Sequence, residues 1–150
     1  FIGNTKVESP YHERHYEFER IMKENNIRTI CYELEWNRLD AQYYREAVKD
    51  VMSQNIDFDG VFGVDRLAIE CMNEVIRRHK KVPRDVKFVA YDGTYITEMV
   101  EPELTAIVQP IGGLAKESAR LICKLINGKI YKDKNIILNV VLKKRKTTIV

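Results

Sequence analysis

The chain has 150 residues, 45% of them hydrophobic and 31% charged, with a formal net charge of +3. That length and apolar content suit one domain that buries roughly 70% of its unfolded surface, and so small a charge, without helix-turn-helix or zinc-finger spacing, does not argue for direct nucleic-acid binding. The longest apolar runs, such as Ile136 to Leu142, fall far short of the ~20 residues of a membrane helix, and the opening FIGNTKVESP has neither the basic end nor the apolar stretch of a signal peptide.

Two apolar periods alternate along the chain, short β-branched runs and longer segments with apolar residues at i, i+3, i+4 and i+7. A strand is expected at Phe1 to Gly3, then a helix carried by Phe18, Ile21 and Met22. A strand at Thr29 to Leu34 leads to a helix carried by Tyr44, Ala47, Val48, Val51 and Met52. The strand Gly60 to Val64 is followed by a helix carried by Leu67, Cys71, Met72, Val75 and Ile76, which the basic run Arg77 to Lys81 and then Pro83 bring to an end. Strands at Val86 to Tyr91 and Thr105 to Val108 come next, then the most apolar helix, about Gly113 to Asn127, stopped at Gly128. The last strand is expected at Ile136 to Leu142. Continuous apolar runs are what parallel strands covered on both faces show. The alternation therefore predicts an α/β fold: an open parallel sheet, right-handed crossovers and helices on both faces.

Cys31, Cys71 and Cys123 have no C-x-x-C spacing and are read as buried thiols of a reducing compartment, with no disulfide framework. His12 and His15, with Glu13 between them, sit three apart on a helix, but no third ligand cluster accompanies them, so no metal is expected. No Gly-rich phosphate loop, Ser-His-Asp or Cys-His arrangement is present either, which leaves catalysis without a nucleophile and no cofactor implied.

Asn4, Asp65, Asp92 and Gln109 each end or follow an expected strand. In an open α/β sheet the carboxyl ends of the strands form the ligand rim, so the four should converge there. Carboxylates and amides bind sugar hydroxyls well, and an aromatic such as Trp36 can lie against the apolar face of a sugar ring. The competing reading is local: Asp after a strand commonly serves as a turn or N-cap residue, and Asp65, directly before its helix, is the stronger cap candidate.

The segments VFGVDRLAIECM, VPRDVKFVAYDG, EPELTAIVQP and LKKRKTT, in that order and spacing, resemble the effector-binding core of LacI/GalR-type transcriptional repressors. The pattern A-x-N-D-x-x-A-x-G falls on Phe62 to Glu70, V-P-x-D-V-x-V-V-G-Y-D-D on Val82 to Gly93, and P-x-L-T-x-x-x-Q-P on Pro102 to Pro110. Upstream, Arg14 to Phe18 is similar to the R-x-x-G-F that opens the family's first helix, with Glu17 in place of the glycine. The fold implied is periplasmic-binding-protein-like, type I, mainly the carboxyl-side subdomain.

Carried over by position, the resemblance implies an effector site containing Arg14, Asp92 and Gln109, with Trp36 near the family's stacking aromatic and with Val64 and Asp65 among the effector-binding residues. The family's pocket asparagine falls on Val64, which cannot hydrogen-bond through its side chain, and Gly93 replaces the second aspartate of Y-D-D. It also implies a homodimer through about Arg66 to Arg77 and Tyr95 to Glu101, with Leu67, Glu70, Cys71, Glu74 and Met99 as interface residues. Residues 1–110 and 135–150 would form the distal subdomain, and 111–134 would cross to an amino-side subdomain outside this chain. The apolar face of Leu114, Leu121, Ile122 and Leu125 would then be exposed, docked or repacked. The basic run Lys143 to Lys146 coincides with the family's K-R-K-T-T ending and is expected to be a solvated strand end.

The function implied is ligand sensing in the cytoplasm: a small sugar or sugar phosphate in an inter-subdomain cleft controls operator binding by a helix-turn-helix headpiece outside this chain. DNA is a partner only through that headpiece, and no membrane partner is expected. The alternative is a sugar-binding protein of a transport system with the same fold, and an enzyme survives only as fold-level analogy.

Overall fold

The computed structural model describes residues 1–3, 10–35, 38, 40–129 and 135–149. In chain order they form β1 (Ile2–Gly3), α1 (Pro10–Glu24), β2 (Tyr32–Glu33), α2 (Ala41–Ser53), β3 (Gly60–Val64), α3 (Asp65–Arg77), β4 (Lys87–Asp92), a 3₁₀ turn (Tyr95–Thr97), β5 (Thr105–Val108), α4 (Ile111–Ile126) and β6 (Val141–Lys143). The strands join one sheet in the order β2-β1-β3-β4-β5-β6. Phe62 pairs with Val89 and Ala90 with Ala106 in parallel register.

The centre of the sheet is built as the apolar runs require. Leu67, Ala68, Cys71, Met72 and Val75 of α3 are buried and share one core with Ile2, Phe88 and Ala90. Each large member of that set contributes about 1.5–3 kcal/mol by leaving water. α2 lies beside α3 and buries Tyr44, Val48 and Met52, one helical turn apart. Its first turn is closed by Asp40, whose carboxylate accepts the Tyr43 N–H at 2.8 Å. Successive strand residues point to opposite faces, so Phe62 faces the other way and stacks on Phe18 of α1 at 5.5 Å between ring centroids. Helices thus cover both faces.

Several details differ from the sequence reading. β6 runs antiparallel to β5, pairing Ile107 with Leu142, so the sheet is mixed. An apolar run carries no record of strand direction. The expected strand over 136–142 shrinks to three residues, and Ile137, Val141 and Leu142 are 88%, 60% and 51% exposed. The strand expected at Thr29 to Leu34 is reduced to Tyr32–Glu33. Of the thiols, Cys71 is buried, Cys31 is half-buried and Cys123 is exposed, and all three are free. Leu67 and Cys71, expected at a subunit interface, are each 2% exposed within the core, so the same periodicity that makes them apolar turns them toward the sheet.

The basic ending, expected to be solvated throughout, differs at one residue. Lys143, Lys144 and Lys146 are exposed, but the Arg145 side chain is only 8% exposed and donates to the Leu104 carbonyl at 2.7 Å and to Glu98. Two residues on, the fully buried Thr147 hydroxyl donates to the Phe88 carbonyl at 2.7 Å and accepts the Thr105 N–H at 2.8 Å. The carboxyl-terminal segment therefore knits the amino ends of β4 and β5 together.

Candidate functional site

β1 connects to β2 on one side, and α2 then leads to β3 on the other side of β1, which makes the β1–β3 boundary the point where the strand order reverses. Ligands of open α/β sheets bind by the carboxyl ends of the strands near such a point. Val64, Asp92 and Val108 are the last residues of β3, β4 and β5.

Asp92 is the centre of the site. Gln109, one residue past β5, donates from Nε2 to Asp92 Oδ1 at 2.5 Å. Arg14, from α1, brings Nη1 to 3.8 Å from the same oxygen and lays its guanidinium over the Tyr91 ring, 3.7 Å from the centroid. That arrangement combines an ion pair with cation–π attraction. The Asp92 side chain keeps 30% of its surface open and that of Arg14 21%, so both can still reach a ligand.

The Asp92 backbone has φ 110°, a conformation that L-residues rarely adopt and one typical of positions held for function. Burial raises its carboxyl above the ordinary value, helped by the Asp65 charge, while Arg14 and the Gln109 hydrogen bond pull it back down. An anion disfavoured by burial yet steadied by one cation and one amide suits a hydroxyl-bearing ligand, which can donate to it.

Asp65 has a different task. It is the first residue of α3, and the cap position belongs to Val64, with no side-chain cap bond. Asp65 is 4% exposed, and its two carboxylate oxygens accept the Gly93 N–H at 3.0 Å, the Thr94 N–H at 2.7 Å and the Thr94 hydroxyl at 2.6 Å. It holds the turn after β4 and thereby fixes where Asp92 points. Gly93 belongs to the same device: at φ +64° it sits so close to β5 that a Cβ would meet Val108 Cα at 2.6 Å.

Beside Asp92 lies a hollow of about 240 Å³ lined by Tyr44, Val64, Asp65, Arg66, Thr94 and Ile96. Ligand pockets usually enclose about 300–1,000 Å³, so the hollow is smaller than a typical complete ligand site. A second cavity of the same volume, lined by Met52, Asn55, Phe58, Val75, Arg78 and Lys80, lies toward the amino ends of the strands and away from Asp92.

Of the residues expected at the site, Arg14, Asp92 and Gln109 come together, and Val64 and Asp65 line the adjoining hollow. Trp36 and Asn4 lie outside the described residues. Tyr91, Thr94 and Arg66 were missed. The spacing of Arg14 from Tyr91 gives no signal for their stacking, whereas Thr94, two residues after a strand-ending Asp, was open to a turn reading.

The chain matches the family of periplasmic binding protein-like domains over residues 1–148, and it belongs to that family. Among its relatives is the sucrose operon repressor of Lactococcus lactis subsp. lactis, 31% identical over 130 residues, which cover 85% of this chain and 39% of that protein. A solved structure of a periplasmic binding protein/LacI transcriptional regulator from Alkaliphilus metalliredigens, complexed with D-xylulofuranose, is 27% identical with a TM-score of 0.74, over 91% of this chain and 51% of that one. A dimeric Lac repressor with a C-terminal deletion is 25% identical with a TM-score of 0.81, over 98% of this chain and 54% of that one. The chain spans less than half the length of the curated relatives it matches. The resemblance to LacI-type regulators, and the periplasmic-binding-protein-like fold it implied, are borne out.

Proposed function

We propose that this chain is the distal part of the effector-sensing domain of a LacI-type repressor, and that Arg14, Asp92 and Gln109 hold a small sugar or a related polyhydroxylated effector. The convergence of these three side chains on one oxygen at the carboxyl ends of β4 and β5 is the observation that carries the reading. A carboxylate can accept from two sugar hydroxyls, and a guanidinium and an amide can donate to others. The xylulofuranose bound to one structural neighbour and the sucrose named for one relative fit that chemistry.

Residues 1–110 and 135–150 form the distal subdomain, and 111–134 pass to an amino-side subdomain beyond this chain. The state of α4 supports this: none of its described residues is buried, and Leu114, Ile122 and Leu125 are 43%, 57% and 62% exposed. An amphipathic helix with a bare apolar stripe normally has a partner layer. A sugar closing the cleft favours one orientation of the two subdomains, and it does so only through its unequal affinity for the two states. A helix-turn-helix headpiece reads that orientation on DNA, in the cytoplasm.

The working unit is a homodimer, as one structural neighbour is. Glu70 and the exposed Ile76 on the outer side of α3, with the 75% exposed Met99, form the surface that pairs. Glu74, held by Arg77 at 2.6 Å and Arg78 at 3.0 Å, orders its edge. The regulator names of the relatives favour this reading over a transport protein.

The test is operator binding by the full-length protein, measured by fluorescence anisotropy against a panel of sugars. One sugar should shift the operator dissociation constant by tenfold or more. A full-length protein that binds no DNA upstream of its own operon would defeat the repressor reading.

A further inference from the structure

We propose that His15, Glu19 and Cys31 form a binding site for a thiophilic divalent cation of the zinc class, tying α1 to the segment that enters β2. The proposal does not depend on the effector reading. The sequence offers no third ligand next to His12 and His15, yet the fold supplies one from elsewhere in the chain. His15 and Glu19 stand one helical turn apart on α1 and share a face, and Cys31 lies against them just ahead of β2. Their donor atoms all lie within 4.8 Å of one another.

Two of the three edges already have the right length. His15 Nε2 is 3.4 Å from Glu19 Oε1, and Cys31 Sγ is 3.3 Å from the same oxygen. Metal–ligand bonds of about 2.0–2.3 Å in a tetrahedron place neighbouring donors about 3.3–3.8 Å apart. Only the edge between His15 and Cys31 has to close, by a small change in side-chain angle.

A second, independent observation is the state of His15. Its Nε2 is buried and has no hydrogen-bond partner: the Glu19 contact is close enough for an ion pair but lacks hydrogen-bond geometry. Buried polar atoms are nearly always satisfied, and an orphan points to something that belongs there. The imidazole is also fixed in place, because the Phe1 ring stacks on it at 5.0 Å and 21°. A ring held by its neighbours is what an ordered metal ligand needs.

The donor set selects the cation. Thiolate, imidazole and one carboxylate suit zinc, whereas magnesium and calcium take oxygen ligands. The Glu19 side chain is 50% exposed, which leaves the fourth position to water. On capture a metal–sulfur bond forms and the Cys31 proton leaves to solvent. Because Arg14 precedes His15 on α1, the same cation would steady the helix that carries the Asp92 ion pair.

The experiment uses the full chain with Cys123→Ser, which removes the exposed thiol. Cobalt(II) should bind at one equivalent with a thiolate-to-metal charge-transfer absorption, and zinc should displace it. Zinc should also slow alkylation of Cys31. Cys31→Ser should abolish the absorption, and His15→Gln should weaken zinc binding at least tenfold while keeping the thiol. If either variant loses its far-ultraviolet circular dichroism, Glu19→Gln, altered on the exposed side, should show the same tenfold loss in a folded chain. No stoichiometric zinc binding, unslowed alkylation of Cys31, or zinc affinity unchanged in the folded variants would overturn the site.

Discussion

Gln109 grips Asp92 twice: its side-chain amide donates to the Asp92 carboxylate at 2.5 Å, and its backbone N–H donates to the Asp92 carbonyl at 3.1 Å. The first contact aims a charge and the second extends the pairing of β4 and β5 by one step. The ends of two neighbouring strands are thereby locked into one lip, with Arg14 reaching it from α1.

The raised carboxyl of Asp92 has a consequence for stability. In the unfolded chain it titrates at about 3.9, and in the folded chain burial keeps it protonated to a higher pH. Between those two values the folded state holds the extra proton. Acidification through that window therefore stabilises the fold, and the contribution is lost as pH rises through the folded value. Asp92→Asn should flatten this slope and leave the melting temperature at neutral pH equal to or above that of the parent chain. Thermal melts across the acidic range check it, and a lower neutral melting temperature in the variant would contradict it.

Gly93→Ala should destabilise strongly. The new Cβ would lie 2.6 Å from Val108 Cα, a backbone atom that cannot step aside, at a φ of +64°. The left-handed backbone and the overpacking together cost about 2–5 kcal/mol, a fall in melting temperature on the order of 10 °C. Calorimetry on the variant measures it, and a shift within a degree of zero would show that the turn relaxes freely.

Much of this fold was legible because β3, α3 and β4 obey simple periods. The run Gly60 to Val64 is short and apolar, Leu67, Cys71, Met72 and Val75 recur at helical spacing, and Pro83 follows the helix. The limits were those of local pattern. Val141 and Leu142 look like any apolar strand, and nothing in them records that their partner strand runs the other way. Asp65 was ambiguous between cap and ligand because its real partners, Gly93 and Thr94, lie 28 and 29 residues away. Asp92 and Gln109, 17 residues apart, could be paired only by the rule that strand ends share a rim and by family resemblance. Arg145 was lost among lysines of the same charge, although its planar donor fork is what lets it serve Leu104 and Glu98 at once.

Thr147→Val should reveal how far the last residues hold the sheet. The substitution keeps the shape but removes a donor to Phe88 and an acceptor for the Thr105 N–H, leaving two buried backbone groups unpaired. The expected loss is about 1–3 kcal/mol or more, read from urea unfolding. An unchanged midpoint would mean that these bonds are replaced without loss.

If Asp92 anchors the effector as proposed, calorimetric titration of the full-length regulator with its best sugar measures that anchoring directly. Replacing a charged acceptor by a neutral one of the same shape removes about 1.5–3 kcal/mol of binding, so Asp92→Asn should raise the dissociation constant about ten- to hundredfold while the protein stays folded. A folded Asp92→Asn protein that binds the same sugar with unaltered affinity would show that Asp92 is not the anchor.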